Sequence, residues 1–260
     1  MRAVILAAGQ GSRLRPLTDD RPKGMVELAG RPLLHRQIEV LRAAGVEDIV
    51  LVSGYRGDQL RMPGVRIMEN PRYAETNMVT TLFCAEQALR DAGDDVLISY
   101  ADIVYEPRVL QSVLECRAPL CVAVDREWRA FWQLRMDDPL SDAETLRLAD
   151  GDRITELGKK PGSYEDIQGQ YMGLMKVRGD HVAEFCDTWH GMDREARYDG
   201  KDFDNMYLTS YLQHLIDSGW DMRAAFTDNG WLEVDTVEDL ARYESMQQDG
   251  TLRPFIRLSP

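Results

Sequence analysis

The chain has 260 residues, 44% of them hydrophobic and 29% charged, and carries a formal net charge of −13. That length and balance fit one large α/β domain or two small ones, with a sizeable core, while the acidic excess argues against a general polyanion binder, which needs a basic face. No stretch reaches the roughly 18 apolar residues of a membrane span, and the short apolar run behind Met1-Arg2 lacks a signal-peptide pattern, so a cytoplasmic location is expected.

In chain order, Val4 to Ala8 reads as a short strand that runs into Gly9 and Gly11. Leu33 to Ala44 has helical apolar spacing and stops at Gly45. Asp48 to Ser53 is a continuous apolar strand leading to Gly54-Tyr55, and a further strand is expected at Val65 to Met68. Thr76 to Ala92 is predicted as one helix ending at Gly93. Val96 to Tyr100 is a fourth strand, delivering Ala101-Asp102. Continuous apolar strands separated by helices indicate a parallel sheet covered on both faces.

The second half is more mixed. Strands are expected at Pro119 to Val124, at Gln170 to Val177, at Met222 to Thr227 and at Trp231 to Val234, with a hairpin at Leu146 to Leu157 turning at Asp150-Gly151. Helices are expected at Asp180 to His190, at Asn205 to Asp217 and from Thr236 onward. No repeat or long linker divides the chain, and the polar stretch after Ser245 reads as a loosely held tail. The cysteines at 84, 116, 121 and 186 form no C-x-x-C pair or zinc pattern, so buried free thiols are expected.

The most informative segment runs from Leu6 to Lys23, LAAGQGSRLRPLTDDRPK. A strand delivers the chain to a glycine turn where backbone N–H groups can approach a phosphate. Arg13, Arg15 and Lys23 then place three cations in one loop, and charge-assisted bonds to phosphate are the strong kind. A dinucleotide fingerprint needs glycine where Leu14 stands and an acid where the second strand ends in Ser53-Gly54, so that reading fails. A P-loop string is absent as well. Asp102 and Asp235 both follow strands, at the sheet edge where open α/β folds bind ligands. Two such carboxylates can hold Mg²⁺, and Glu233, two residues before Asp235, can assist. The competing reading of Asp235 is a helix cap, because Asp-Thr-Val-Glu-Asp has the form of a capping sequence.

Gly9-x-Gly11-Ser12-Arg13-Leu14-x-Pro16-Leu17-Thr18, followed by Pro22-Lys23, strongly resembles the signature of the nucleotidyltransferases that make sugar nucleotides and CDP-alcohols. The Gly54-Tyr55 turn, Asp102 and the late Asp235-Thr236 helix start occur in the same order as in that family. The resemblance covers residues 1–245 and implies a single Rossmann-like α/β domain with a mostly parallel mixed sheet and helices on both faces. Residues 1–115 would form its nucleotide-binding half, 116–245 its acceptor-binding half and 246–260 the tail.

By the same resemblance Leu6, Ala8, Gly9, Gly11, Ser12, Arg13, Lys23, Gly54, Tyr55, Asn77 and Ala101 surround the nucleotide. Lys23, Arg13, Asp102 and Lys160 carry the transfer, and Asp102 and Asp235 hold Mg²⁺, with Glu233 placed by its spacing to assist. Family members often have a second polar or acidic residue just after the first aspartate; here it is Ile103. Lys160 matches the family's acceptor-phosphate lysine, and Lys159 stands where sugar-specific members have glutamate. The stretches Asn70 to Leu82 and Asp202 to Met206 are similar to bacterial choline-phosphate cytidylyltransferases, which implies CTP as donor. Asp202, Phe203, Asp204 and Trp132 are then expected around the acceptor, since aromatic faces and carboxylates suit a cationic head group. Phe203, between two acids, is expected outside the core.

No nucleophilic side chain is needed, because the attacking oxygen belongs to a phosphate whose second pKa is about 6. The expected function is CMP transfer from CTP to a phosphocholine-like or aminophosphonate acceptor. A hexose-1-phosphate enzyme using UTP or dTTP is the alternative within the same chemistry, and a silent nucleotide-sensing subunit the alternative outside it. No nucleic-acid or membrane partner is expected, and a homodimer is compatible with the sequence.

Overall fold

The computed structural model of the chain describes residues 1–258. In chain order its main elements begin with β1 (Arg2–Ala7), β2 (Glu27–Leu28), β3 (Arg31–Pro32), α1 (Leu33–Ala43), β4 (Asp48–Ser53) and β5 (Val65–Glu69). They continue through α2 (Met78–Phe83), α3 (Glu86–Arg90), β6 (Val96–Tyr100), β7 (Ile103–Tyr105), α4 (Pro107–Glu115), β8 (Leu120–Asp125) and α5 (Trp128–Arg135). The last are β9 (Leu146–Ala149), β10 (Arg153–Leu157), β11 (Gln170–Val177), α6 (Val182–Gly191), α7 (Leu208–Asp217), β12 (Met222–Thr227), β13 (Trp231–Glu233) and α8 (Val237–Asp249).

Within the described residues one nine-stranded sheet spans the molecule in the order β5-β4-β1-β6-β11-β8-β12-β10-β9. Strands β5, β4, β1 and β6 are all parallel, in the order a Rossmann-like half requires. Antiparallel β11 then joins β6 to β8, and β8 pairs in parallel with β12. The sheet is therefore mixed, and continuous across both halves of the chain. Alternation along each strand feeds two cores: Ala3, Ile5 and Ala7 of β1 enter one, Val4 and Leu6 the other. Helices α1, α4, α5 and α8 cover the first face through residues such as Leu34, Val109, Phe131 and Tyr243. Helices α2, α3, α6 and α7 cover the second through Val79, Leu89, Phe185 and Leu212. No helix among the described residues is long and apolar enough to cross a membrane.

Several expectations need correction. The single helix predicted from Thr76 to Ala92 is two, separated by a turn at Cys84 and Ala85. Its apolar spacing survives the break, because Leu82 and Phe83 before it and Ala88 and Leu89 after it all enter the same core. The stretch beyond Ser245 is no loose tail: α8 runs to Asp249, and Leu252 and Ile256 are fully buried in the first core. Two widely spaced apolar residues in a polar stretch suffice to anchor it. Of the four cysteines only Cys84 and Cys186 are free thiols. Cys116 and Cys121 form a disulfide across the turn between α4 and β8, their Cα atoms 6.2 Å apart, within the normal range for such a bond.

A two-stranded ribbon outside the main sheet decides where the functional groups meet. Strand β13 lies antiparallel to β7, pairing Trp231 with Tyr105, Leu232 with Val104 and Glu233 with Ile103. The Val234 amide then donates to the Asp102 carbonyl at 3.0 Å. Residues far apart in sequence are thereby fixed beside one another by main-chain bonds.

Candidate active site

The loop after β1 is tied down by its own polar groups. The Thr18 hydroxyl donates to the Gly11 carbonyl at 2.8 Å, and the Tyr55 hydroxyl donates to the Thr18 and Asp19 carbonyls at 3.0 Å each. Where β4 ends, Gly54 passes so close to its neighbours that a Cβ there would lie 2.6 Å from the Tyr73 side chain and 2.8 Å from the Ala8 carbonyl. Glycine is required for that approach, and it lets the Tyr55 amide donate to Ala8 at 3.0 Å. Gly54 and Tyr55 thus brace the loop from outside. Gly54 lines an open depression of about 750 Å³ whose walls include neither Asp102 nor Asp235.

From this loop Lys23 reaches under the sheet edge. Its Nζ donates to Asp102 Oδ2 and to Asp235 Oδ1, each at 2.7 Å. Arg13 pairs with the other oxygen of Asp235 at 2.5 Å while remaining 66% exposed, so it stays accessible to a ligand. Burial alone would lower the Lys23 pKa, but the adjoining carboxylates of Asp102 and Asp235 outweigh it and raise it above the ordinary lysine value. Lys23 is charged whenever the protein is folded near neutrality.

Asp102, Glu233 and Asp235 each offer a carboxylate oxygen within 4.8 Å of the others. Ile103 is fully buried, and its ribbon partner Glu233 supplies the third acid from across β7 and β13. Burial pushes the Glu233 carboxyl upward, opposed by the Arg135 guanidinium, which sits 2.6 Å away. The capping question at residue 235 is resolved by its neighbour. Thr236 is the N-cap of α8 and exchanges bonds with Asp239, which leaves the Asp235 carboxylate to the cluster. Asp102 Oδ1 is buried and has no hydrogen-bond partner. A buried carboxylate oxygen left bare is costly, and one beside two further acids suits a divalent cation whose remaining ligands are phosphate oxygens and water. The trio therefore fits Mg²⁺.

Two clefts flank this cluster. The narrower, of about 140 Å³, is lined by Leu6, Ala8, Gly9, Lys23, Asn77, Ala101 and Asp102, all of them named from the sequence. The wider, of about 410 Å³, is lined by Arg13, Trp132, Glu233 and Asp235. Asn77, Met78 and Tyr100 belong to both walls. Asn77 holds that position as the cap of α2: its side chain accepts from the Met78 amide at 2.8 Å, and its own amide donates to the Asp204 carbonyl at 3.0 Å.

Not every expected residue arrives. Gly11 and Ser12 shape the loop without lining either cleft, and Lys160 is exposed outside both. Phe203 is buried at 4% exposure, packed 5.4 Å from Trp189 with the Arg194 guanidinium 4.4 Å over its ring. Its acidic neighbours do not keep it out of the core because their carboxylates turn outward. Asp202 accepts from Asn205, and Asp204 pairs with Arg72 at 2.6 Å. Trp132 is also buried, but its edge reaches the wider cleft while its indole N–H donates to Asp142 at 3.0 Å. Arg135, Glu144 and Gln170 were not among the expected residues. Glu144 and Gln170 line the wider cleft, and Arg135 holds Glu233 from behind.

Residues 3–162 match the MobA-like NTP transferase domain family. The chain belongs to that family. It is a nucleotidyltransferase, and the family's relatives include cytidylyltransferases and sugar nucleotidyltransferases. It is 41% identical over 248 residues to CTP:phosphoglutamine cytidylyltransferase of Campylobacter jejuni, covering 92% of this chain and 98% of that one. Over 170 residues, 62% of this chain and 65% of the relative, it is 55% identical to a UTP–glucose-1-phosphate uridylyltransferase of Haloferax volcanii. The NTP transferase fold is shared with the solved CTP:phosphocholine cytidylyltransferase of Streptococcus pneumoniae, with a TM-score of 0.70 at 21% identity over 95% of this chain and 98% of that one.

Proposed function

We propose that this nucleotidyltransferase transfers CMP from CTP to a small phosphorylated or phosphonate acceptor bearing an amine, and releases pyrophosphate. One observation carries the reading: two clefts with a common wall meet at the Lys23, Asp102 and Asp235 cluster. The narrower cleft, walled by the β1 edge and Asn77, takes the nucleotide, and the wider one takes the acceptor. An oxygen of the acceptor's phosphate attacks the α-phosphorus of CTP, the bond from that phosphorus to the β-phosphate bridging oxygen breaks, and pyrophosphate leaves with its electron pair. Lys23 neutralises charge on the transferring group, and Arg13, exposed at the cleft wall, takes the leaving phosphates. Mg²⁺ held by Asp102 and Asp235, with Glu233 assisting, would supply charge neutralisation and alignment of the phosphates. Lys160 would approach the acceptor phosphate from its exposed loop.

The 41% identity with a CTP:phosphoglutamine enzyme across nearly its whole length supports both the donor and an amine-bearing acceptor. The uridylyltransferase similarity supports the hexose reading. Lys159 speaks against that alternative, since its ammonium is paired with Glu156 at 2.9 Å where a hexose site needs a free acid. Pyrophosphate release over a grid of CTP, UTP and dTTP against phosphoglutamine, phosphocholine, 2-aminoethylphosphonate and glucose 1-phosphate decides between them. Turnover is expected with CTP and an amine-bearing acceptor, phosphoglutamine foremost. Turnover confined to UTP or dTTP with glucose 1-phosphate would replace this reading with the hexose one.

A further inference from the structure

Glu144 lines the wider cleft, outside the trio that fits a metal. Its main chain is clamped from both sides by a single side chain. The Glu144 amide donates to Gln170 Oε1 at 3.0 Å, and Gln170 Nε2 donates back to the Glu144 carbonyl. Gln170 is itself 3% exposed, so the clamp is part of the packed interior. The carboxylate that this clamp aims has one polar contact, from the Thr209 hydroxyl at a long 3.4 Å. Among the described residues no cation lies within ion-pairing distance of it. The other acid beside it differs, because Asp142 already accepts from Trp132.

A fold that fixes a mostly buried carboxylate without an internal cation carries an energetic cost. The cost shows in the carboxyl's own equilibrium, which burial pushes up to about 7. General-base work does not account for it, because a phosphate acceptor ionises unaided. The geometry points to Glu144 as the specificity residue that receives the acceptor's ammonium group, with Trp132 and Tyr171 as the adjoining aromatic walls. The assignment rests on reading the wider cleft as the acceptor side. A cation placed there gains a charge-assisted bond and an aromatic face together, whereas a neutral head group leaves the carboxylate bare.

The test reads binding rather than turnover. Phosphoethanolamine and ethyl phosphate differ only by the amine, and calorimetric titration of each follows their affinity for the wild-type protein and for Glu144→Gln. Titrations run without nucleotide and with a non-hydrolysable CTP analogue plus Mg²⁺. The wild type is expected to prefer phosphoethanolamine by roughly tenfold or more, and Glu144→Gln to lose that preference while binding ethyl phosphate as before. Circular dichroism confirms that the variant is folded, and Glu144→Asp, which keeps the charge but shortens its reach, is expected to fall between the two. Equal binding of the two probes by the wild type, binding of neither, or a preference that survives in Glu144→Gln would each overturn the assignment. A clear amine preference in a protein that releases no pyrophosphate from CTP would leave it standing and remove only the cytidylyl reading.

Discussion

Replacing Lys23 by methionine is expected to make the protein depend on a divalent cation for its stability. Without the ammonium that bridges Asp102 and Asp235 at 2.7 Å each, three carboxylates remain with oxygens within 4.8 Å of one another. Only exposed Arg13 and the Glu233 partner Arg135 remain to offset them. Breaking a buried ion pair by removing one partner costs about 3–5 kcal/mol. Because Arg13 remains, the lower end applies. For a domain of this size each kcal/mol moves Tm by about 2–4 °C, so the variant should melt about 6–12 °C below the wild type in EDTA. A metal bound by the folded state alone and present at 100 times its Kd returns about 2.7 kcal/mol. Melting curves in EDTA and in saturating Mn²⁺ or Mg²⁺ measure both quantities. The metal should raise the Tm of Lys23→Met by several degrees more than that of the wild type, whose acids are already neutralised. A variant that melts within about 2 °C of wild type in EDTA, or equal metal shifts in the two proteins, would refute the idea that lysine and metal share one set of acids.

Asp102→Ala is expected to lower the rate of pyrophosphate release by more than about 100-fold, the typical loss when one group stabilising a transferring phosphoryl is removed; near-normal turnover would take Asp102 out of the chemistry. Glu144→Gln should leave stability unchanged near pH 4 and increase it at pH 8. The raised carboxyl pKa means that the folded state holds its proton longer, so wild-type stability is full below the unfolded value and declines as pH rises through about 7. Urea unfolding at the two pH values should show a gain of at most about 3 kcal/mol, and an equal effect at both would contradict the burial argument. Phe203→Ala should cost about 3–5 kcal/mol of stability as a core truncation and leave the acceptor KM unchanged; a raised KM in a variant of normal stability would return Phe203 to the acceptor site.

The parts of the site that could be read from the sequence are those built from contiguous residues. The loop from Gly9 to Lys23 carries its chemistry within one short stretch, and Asp102 and Asp235 announce themselves by following strands. Asn77 is legible only through the resemblance of its stretch to choline-phosphate cytidylyltransferases; its role as the cap of α2 appears with the fold. The groups that went unread depend on long-range pairing. Arg135 reaches Glu233, an acid that its spacing to Asp235 already offers, from a helix that no segment pattern marks. Glu144 and Gln170 lie 26 residues apart and acquire meaning only through their mutual hydrogen bonds. Phe203 shows the opposite failure. Neighbouring acids suggest an exposed environment, yet adjacent side chains in an irregular segment can point to opposite sides of the chain. The disulfide and the anchored C-terminal segment likewise turn on a tight turn and on two buried residues, which composition does not encode.

The shared partition of Asn77, Met78 and Tyr100 has an evolutionary consequence. With donor and acceptor in the two clefts as proposed, these three residues face both substrates, and a substitution that tunes one specificity reshapes the other in the same stroke. On that assignment donor choice and acceptor choice drift together, so an engineer seeking a new head group should begin at Trp132 or Tyr171, which line the wider cleft alone.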